Sequence, residues 1–161
     1  MIASKSLFWR HSMASAKIVY ASMTGNNEEV AGIVEEALEN LGVDVDTVEI
    51  SQADAEDFED VDICVVATYT YGDGELPDEA VDFYEDLEEE DLTGKIYGCC
   101  GSGDTFYDDF GKSIDDFAAV FEKTGATKGA DIVKVDLAPE EDDIAHLENF
   151  AKQLVEAQEK L

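Results

Sequence analysis

The chain has 161 residues, 45% of them hydrophobic, which suits one domain with a core of its own. Forty acidic residues stand against ten basic ones, a net charge of −30. That balance argues against nucleic acid and anionic membranes as partners, since both are bound through Lys and Arg, and it favours a basic protein partner. Solubility or adaptation to salt is the plainer source of the same charge.

Residues 1–13 differ from the rest: Lys5, Arg10 and His11 occur there with no acid. The segment lacks the apolar run of a signal peptide, and no stretch approaches membrane-spanning length. It reads as a leader or cloning remnant without fixed structure, with Met13 an alternative start and Trp9 outside the core. Residues 14–161 then form one domain. Cys64, Cys99 and Cys100 make no C-x-x-C and no zinc spacing, so free thiols in a reducing cytosol are expected.

From Ala16 the chain alternates strand and helix. The first strand is Lys17–Ala21. Val30, Ile33, Val34, Ala37, Leu38 and Leu41 then share one helical face, and Gly42 ends that helix. Val43–Ile50 alternates apolar residues with Asp44, Asp46 and Glu49, as an edge strand with one wet face does. Ser51–Asp60 is an acidic connection with at most a turn of helix. Ile63–Thr68 is apolar throughout, so it is expected to be buried on both faces. Pro77 and early acids open a helix over Asp78–Glu89, its face formed by Val81, Tyr84 and Leu87. The fourth strand is Ile96–Gly101, with Gly98 inside it. A helix from about Asp109 carries Phe110, Ile114, Phe117, Val120 and Phe121. The fifth strand is Asp131–Leu137, and Pro139 opens a last helix with Ile144, Leu147, Ala151, Leu154 and Val155 inward.

This alternation predicts an α/β fold: a doubly wound, three-layer sandwich around a five-stranded parallel sheet. In such sheets ligands bind beyond the carboxyl ends of the strands. Three loops of unusual composition follow strands one, three and four. The first, Ser22-Met23-Thr24-Gly25-Asn26-Asn27, opens a helix with hydroxyls, amides and backbone N–H groups but no Lys or Arg. A helix N-terminus of that kind suits a phosphate held by neutral donors, or the same residues merely cap the helix. The second runs Thr68-Tyr69-Thr70-Tyr71-Gly72-Asp73 and on to Pro77. The third runs Gly101-Ser102-Gly103-Asp104 through Tyr107 to Phe110. Aromatics, glycines and the absence of any base suit a planar, phosphorylated ligand. Each residue also has a plainer use: the tyrosines as loop residues packing on the core, Asp73, Asp104 and Asp108 as solvated acids, His11 and His146 as surface residues. No catalytic triad and no metal-ligand spacing is visible.

The three loops together resemble those of a short-chain flavodoxin, over roughly Ala16–Leu154. The resemblance implies the family's own strand order, 2-1-3-4-5, with FMN at the switch point. It makes Ser22, Met23, Thr24, Gly25, Asn26 and Asn27 the phosphate loop. Asn27 departs from the family pattern there, standing where a Thr hydroxyl is usual, so its substitution is expected to affect the phosphate alone. Thr68, Tyr69, Thr70, Tyr71, Gly72 and Asp73 would form the second flavin loop, with Tyr71 on the inner face and Gly72 beside flavin N5. Gly101, Ser102, Gly103, Asp104 and Tyr107 would form the third, with Tyr107 stacked on the outer face. The lack of a long insertion between Ile132 and Pro139 points to the short-chain type. The implied function is a low-potential, one-electron FMN carrier, not an enzyme with its own substrate. It would be cytoplasmic and monomeric, and would shuttle between a flavodoxin or ferredoxin reductase and acceptor oxidoreductases with basic docking faces. A non-redox FMN-binding interaction module and a flavodoxin-like NAD(P)H-quinone reductase remain alternatives. A phospho-acceptor receiver does not, because Ser22 and Thr68 stand where it needs acids.

Overall fold

A computed structural model describes residues 14–22, 25–70, 75–104 and 110–161. The expected leader, with Trp9, lies outside the described residues. The order is β1 Ser15–Tyr20, α1 Asn26–Asn40, β2 Asp44–Glu49, β3 Ile63–Ala67, α2 Val81–Glu88, β4 Ile96–Gly103, α3 Lys112–Lys123, β5 Thr127–Lys128, β6 Val133–Asp136 and α4 Glu141–Glu159. Every strand pair is parallel. The sheet order is β2-β1-β3-β4, with β5 and β6 both pairing β4 at the far edge. This is the expected 2-1-3-4-5 order, with the fifth position filled by two short strands.

Alternation along the strands divides the core into two layers. Ile63, Val65 and Ala67 of β3 join Ala16 and Ile18 of β1, Val30, Val34 and Leu38 of α1, and Leu147, Phe150 and Leu154 of α4. Cys64 and Val66 face the other way, towards Phe83 and Leu87 of α2 and Ile114, Phe117, Val120 and Phe121 of α3. Tyr97 stacks on Phe121 in that second layer, ring centroids 4.8 Å apart and 11° from coplanar. Gly98 faces the first layer and has a packing reason. A Cβ there would lie 2.8 Å from Phe150 Cζ and 2.9 Å from Leu154 Cδ2.

Several expected boundaries shift. The fifth strand does not run from Asp131 to Leu137. The ladder breaks after Lys128, where Gly129 N–H donates to Tyr97 O at 2.8 Å. Asp131 N–H donates instead to Gln153 Oε1 of α4, at 3.0 Å. The acidic connection after β2 becomes two 3-10 turns, Ile50–Gln52 and Ala55–Asp60, the second closed by reciprocal Asp54 and Asp57 contacts. The helix expected from Asp78 begins as a 3-10 turn, Asp78–Ala80, and buries Phe83 in place of Val81. Phe110 precedes α3, which starts only after Gly111 at φ 70°. Leu41, the C-cap residue of α1, and Ile144, in the first turn of α4, are exposed.

At the foot of α2, Glu90 carries a fully buried Oε1 with no donor in reach. It faces the carboxyl of Glu59, and two carboxylates can bond only by sharing a proton. That hydrogen bond, reinforced by partial burial and by the charges of Glu59, Glu56 and Asp86, raises Glu90 from 4.5 to about 7. The native state thus holds a proton that the unfolded chain has released. The stabilisation is complete below pH 4.5 and disappears as pH rises through 7. Glu90→Gln donates to Glu59 at every pH. Urea midpoints measured at pH 5 and pH 8 should therefore fall less with rising pH in this variant than in the parent chain.

Candidate functional site

The three loops are held side by side by hydrogen bonds that continue the sheet past its strands. Ala21 N–H donates to Ala67 O at 2.9 Å, Thr68 N–H to Cys100 O at 3.1 Å, and Leu137 N–H to Gly103 O at 2.7 Å. The ends of β1, β3, β4 and β6 therefore form one continuous rim, and the candidate residues sit on it because the parallel topology sends every crossover from that edge.

In the first loop, Ser22 Oγ accepts from Gly25 N–H at 2.9 Å and closes a tight turn. Gly25 is the N-cap of α1 at φ 93° and has no side chain with which to cap it. The plainer use of the loop, a capping side chain at the N-cap position, is thus not open to Gly25. Asn26 is half-buried and Asn27 is only 2% exposed. Met23 and Thr24 lie outside the described residues.

Asn27 is where the structure adds most to the sequence reading. Its Oδ1 accepts from Ser102 N–H at 2.7 Å, a buried bond between residues 75 apart in sequence. Ser102 Oγ in turn donates to Leu137 O. Leu137, half-exposed at the end of β6, has φ 61°, an uncommon conformation for a branched residue. Two hydrogen bonds hold it there, its own N–H to Gly103 O and its carbonyl to Ser102. A chain of contacts thus runs from α1 through the third loop to β6.

The second loop is fixed at both ends. Thr68 is fully buried, and Tyr69 O–H donates to Glu79 Oε1 at 3.0 Å. Thr70 Oγ1 accepts from Ser113 N–H at 2.9 Å, while Ser113 Oγ donates to Glu75 O at 3.4 Å. Ser113, in the first turn of α3, therefore ties together the two sides of residues 71–74. Tyr71, Gly72 and Asp73 of that segment, and Tyr107 of the third loop, lie outside the described residues. The sequence reading missed both Ser113 and Leu137. A serine just after a helix-opening glycine is too common to have marked the first, and nothing in a Leu-Ala-Pro run signals a left-handed leucine.

Ser22, Gly25, Asn26, Asn27, Thr68, Tyr69, Thr70, Gly101, Ser102, Gly103 and Asp104 are brought to the one rim. No Lys, Arg or His occurs within 22–27, 68–77 or 101–110. This donor set fits a phosphate held by neutral groups at one end and a flat polar-edged ring against backbone amides at the other. The cysteines take no part: burial pushes Cys64 and Cys100 up to about 12 and Cys99 well up, so all three remain unreactive thiols. Gly101 sets how closely the second and third loops approach. A Cβ on it would lie 1.9 Å from Thr68 O and 2.9 Å from Thr68 N. The obstacle is backbone that cannot swing aside. Gly101→Ala should separate the ends of β3 and β4 and lower apoprotein stability by about 2–3 kcal/mol, the upper range for overpacking, as measured by urea titration.

A flavodoxin family model matches residues 18–150. "Probable flavodoxin 1" of Bacillus subtilis (strain 168) is 40% identical over 141 residues, covering 87% of this chain and 89% of its own. The solved flavodoxin of Streptococcus pneumonia TIGR4 superposes with a TM-score of 0.87 at 62% identity, over 89% of this chain and 99% of that one. A solved short-chain flavodoxin associated with a non-canonical PDU bacterial microcompartment gives a TM-score of 0.89 at 54% identity, over 91% and 99% of the two chains. This chain belongs to the flavodoxin family, the flavin-carrying proteins of electron transfer.

Proposed function

We propose that this chain binds one FMN non-covalently along the three-loop rim and carries single electrons at low potential from a flavin reductase to acceptor oxidoreductases in the cytosol. The observation that carries the reading is the rim itself: three loops laced edge to edge at the carboxyl ends of a 2-1-3-4-5 sheet, none of them containing a cation. FMN, when bound, supplies the one-electron chemistry.

The residues divide the work. The turn closed by Ser22 and Gly25 directs the first N–H groups of α1 at the phosphate, with Asn26 beside them and Thr24 joining them by family resemblance. Thr68–Thr70 and Gly101–Asp104 offer backbone to the edge of the ring, and by family resemblance Tyr71 and Tyr107 cover its two faces. The charged side chains of the three loops themselves are all acidic, and Lys134, on β6 beside Gly101, is paired with Asp115; the loops thus oppose added negative charge on the ring and hold its potential low. Asp78 and Glu79 are exposed, as is Glu75. With Asp73 they would form the face that meets a basic reductase. No helix among the described residues is long and apolar enough to cross a membrane.

Nothing basic waits for an adenosine half, so apoprotein should quench FMN fluorescence stoichiometrically and bind FAD far more weakly. Equal or tighter binding of FAD would overturn the reading. Docking between opposite charges weakens as salt shortens the Debye length to about 10 Å at 0.1 M. The bimolecular rate of reduction by a flavin reductase, followed by stopped flow, should fall as salt is raised from 10 to about 300 mM. A flat profile would place docking elsewhere.

A further inference from the structure

In the proposed site the phosphate end and the ring end belong to different loops, and the buried side chain of Asn27 joins them. Asn27, in the first turn of α1, is 2% exposed, and Ser102, at the end of β4, is 4% exposed. Ser102 N–H can only donate, so the arm of the Asn27 amide that faces it at 2.7 Å is the carbonyl oxygen. That arm is committed to the third loop, leaving the NH₂ arm as the amide's donor.

From this bond we infer that Asn27 is a positioning residue for the flavin ring: through Ser102 it couples the phosphate loop to the Gly101–Asp104 loop, so the grip on the ring depends on the first turn of α1. The inference rests on the proposal that this rim holds FMN. It differs from the sequence expectation, in which residue 27 serves the phosphate alone. Three features favour it. The bond is short and buried, so a lost acceptor leaves Ser102 N–H unsatisfied where water does not reach. Ser102 is itself fixed on its other side, its hydroxyl donating to Leu137 O. Gly103 O, one residue on, accepts from Leu137 N–H at 2.7 Å. The Gly101–Gly103 segment is thus held by β6 on one side and by Asn27 on another, and releasing Asn27 removes one of these supports.

The two arms of the amide can be separated with two ligands, because riboflavin carries the ring without the phosphate. Apoprotein of the full chain is titrated with FMN and with riboflavin at pH 8. Asn27→Leu keeps the shape and removes both arms. It should weaken riboflavin and FMN by a similar factor, roughly tenfold, the scale of one buried hydrogen bond. Asn27→Asp restores the acceptor for Ser102 N–H but replaces the NH₂ arm with an anion. It should keep riboflavin affinity within about twofold of the parent chain while FMN binding falls. Loss of FMN affinity in Asn27→Leu with riboflavin untouched would overturn the inference, as would an Asn27→Asp that harms riboflavin as much as Leu does. Should Asn27→Leu fail to fold, the Asp variant and amide exchange decide. The Ser102 amide of the parent apoprotein should exchange slowly, and rapid exchange would overturn the inference. Parent apoprotein that binds neither ligand would instead overturn the flavin reading on which this one stands.

Discussion

β3 has no wet face. All five of its residues are fully buried, and in a strand successive side chains point to opposite sides. A strand of this kind must be covered above and below, and parallel neighbours can reach it only through crossovers that supply the cover. Ile63 and Val65 therefore demand α1 and α4, while Cys64 and Val66 demand α2 and α3. Burial of each large side chain contributes about 1.5–3 kcal/mol, so the two layers supply most of what holds the chain folded. The same crossovers bring the chain out at one edge after β1, β3 and β4. The rim on which the candidate residues meet is thus a by-product of burying β3.

The charge has to be accommodated around this frame without pairing. Four cations form the ion pairs of the described residues: Lys17 with Asp46 and Asp57, Lys112 with Asp116, Lys123 with Glu88, and Lys134 with Asp115. Exposed pairs of this kind each contribute about 0–1 kcal/mol. With forty acids in the chain most carboxylates have no base to meet. They occupy outer helix faces, where water and counterions screen them, and helix N-termini, where the dipole favours them. α4 shows the second use, with Glu141, Asp142 and Asp143 in its first turn and the Asp143 carboxylate accepting from Glu140 N–H at 2.9 Å. Where geometry forces two carboxyls together, as at Glu59 and Glu90, a proton takes the place of the missing cation.

The architecture was largely legible because its signals are local. The unbroken apolar run of β3, the alternation of β2 and the 3.6-residue face of α1 each announce an element from a few neighbouring residues. Thr127–Lys128 escaped notice because both residues are polar and exposed, and only the partner strand makes them a strand. The site was legible in composition and not in wiring. That Ser22, Thr70 and Gly101 belong to one rim follows from topology. That Asn27 reaches Ser102, or that Ser113 ties Thr70 to Glu75, depends on side chains meeting across separations of 75, 43 and 38 residues, which one sequence does not encode in any readable pattern. Asn27 shows the limit well: its position in the loop motif gave it a phosphate role, and its burial gave it a neighbour the motif does not mention.

The divided fifth strand bears on how molecules of this protein meet one another. An open sheet has two outer strands whose unpaired N–H and C=O groups invite another chain to extend it. Here one of them, β2, carries Asp44, Asp46 and Glu49 along its length, so a second copy laid against it would bring like charges together. The other is interrupted between Lys128 and Val133, leaving pieces of two and four residues out of line with each other. Neither border offers a long straight template. Extension of the sheet by a second copy, strand laid against strand, is thereby disfavoured at both borders.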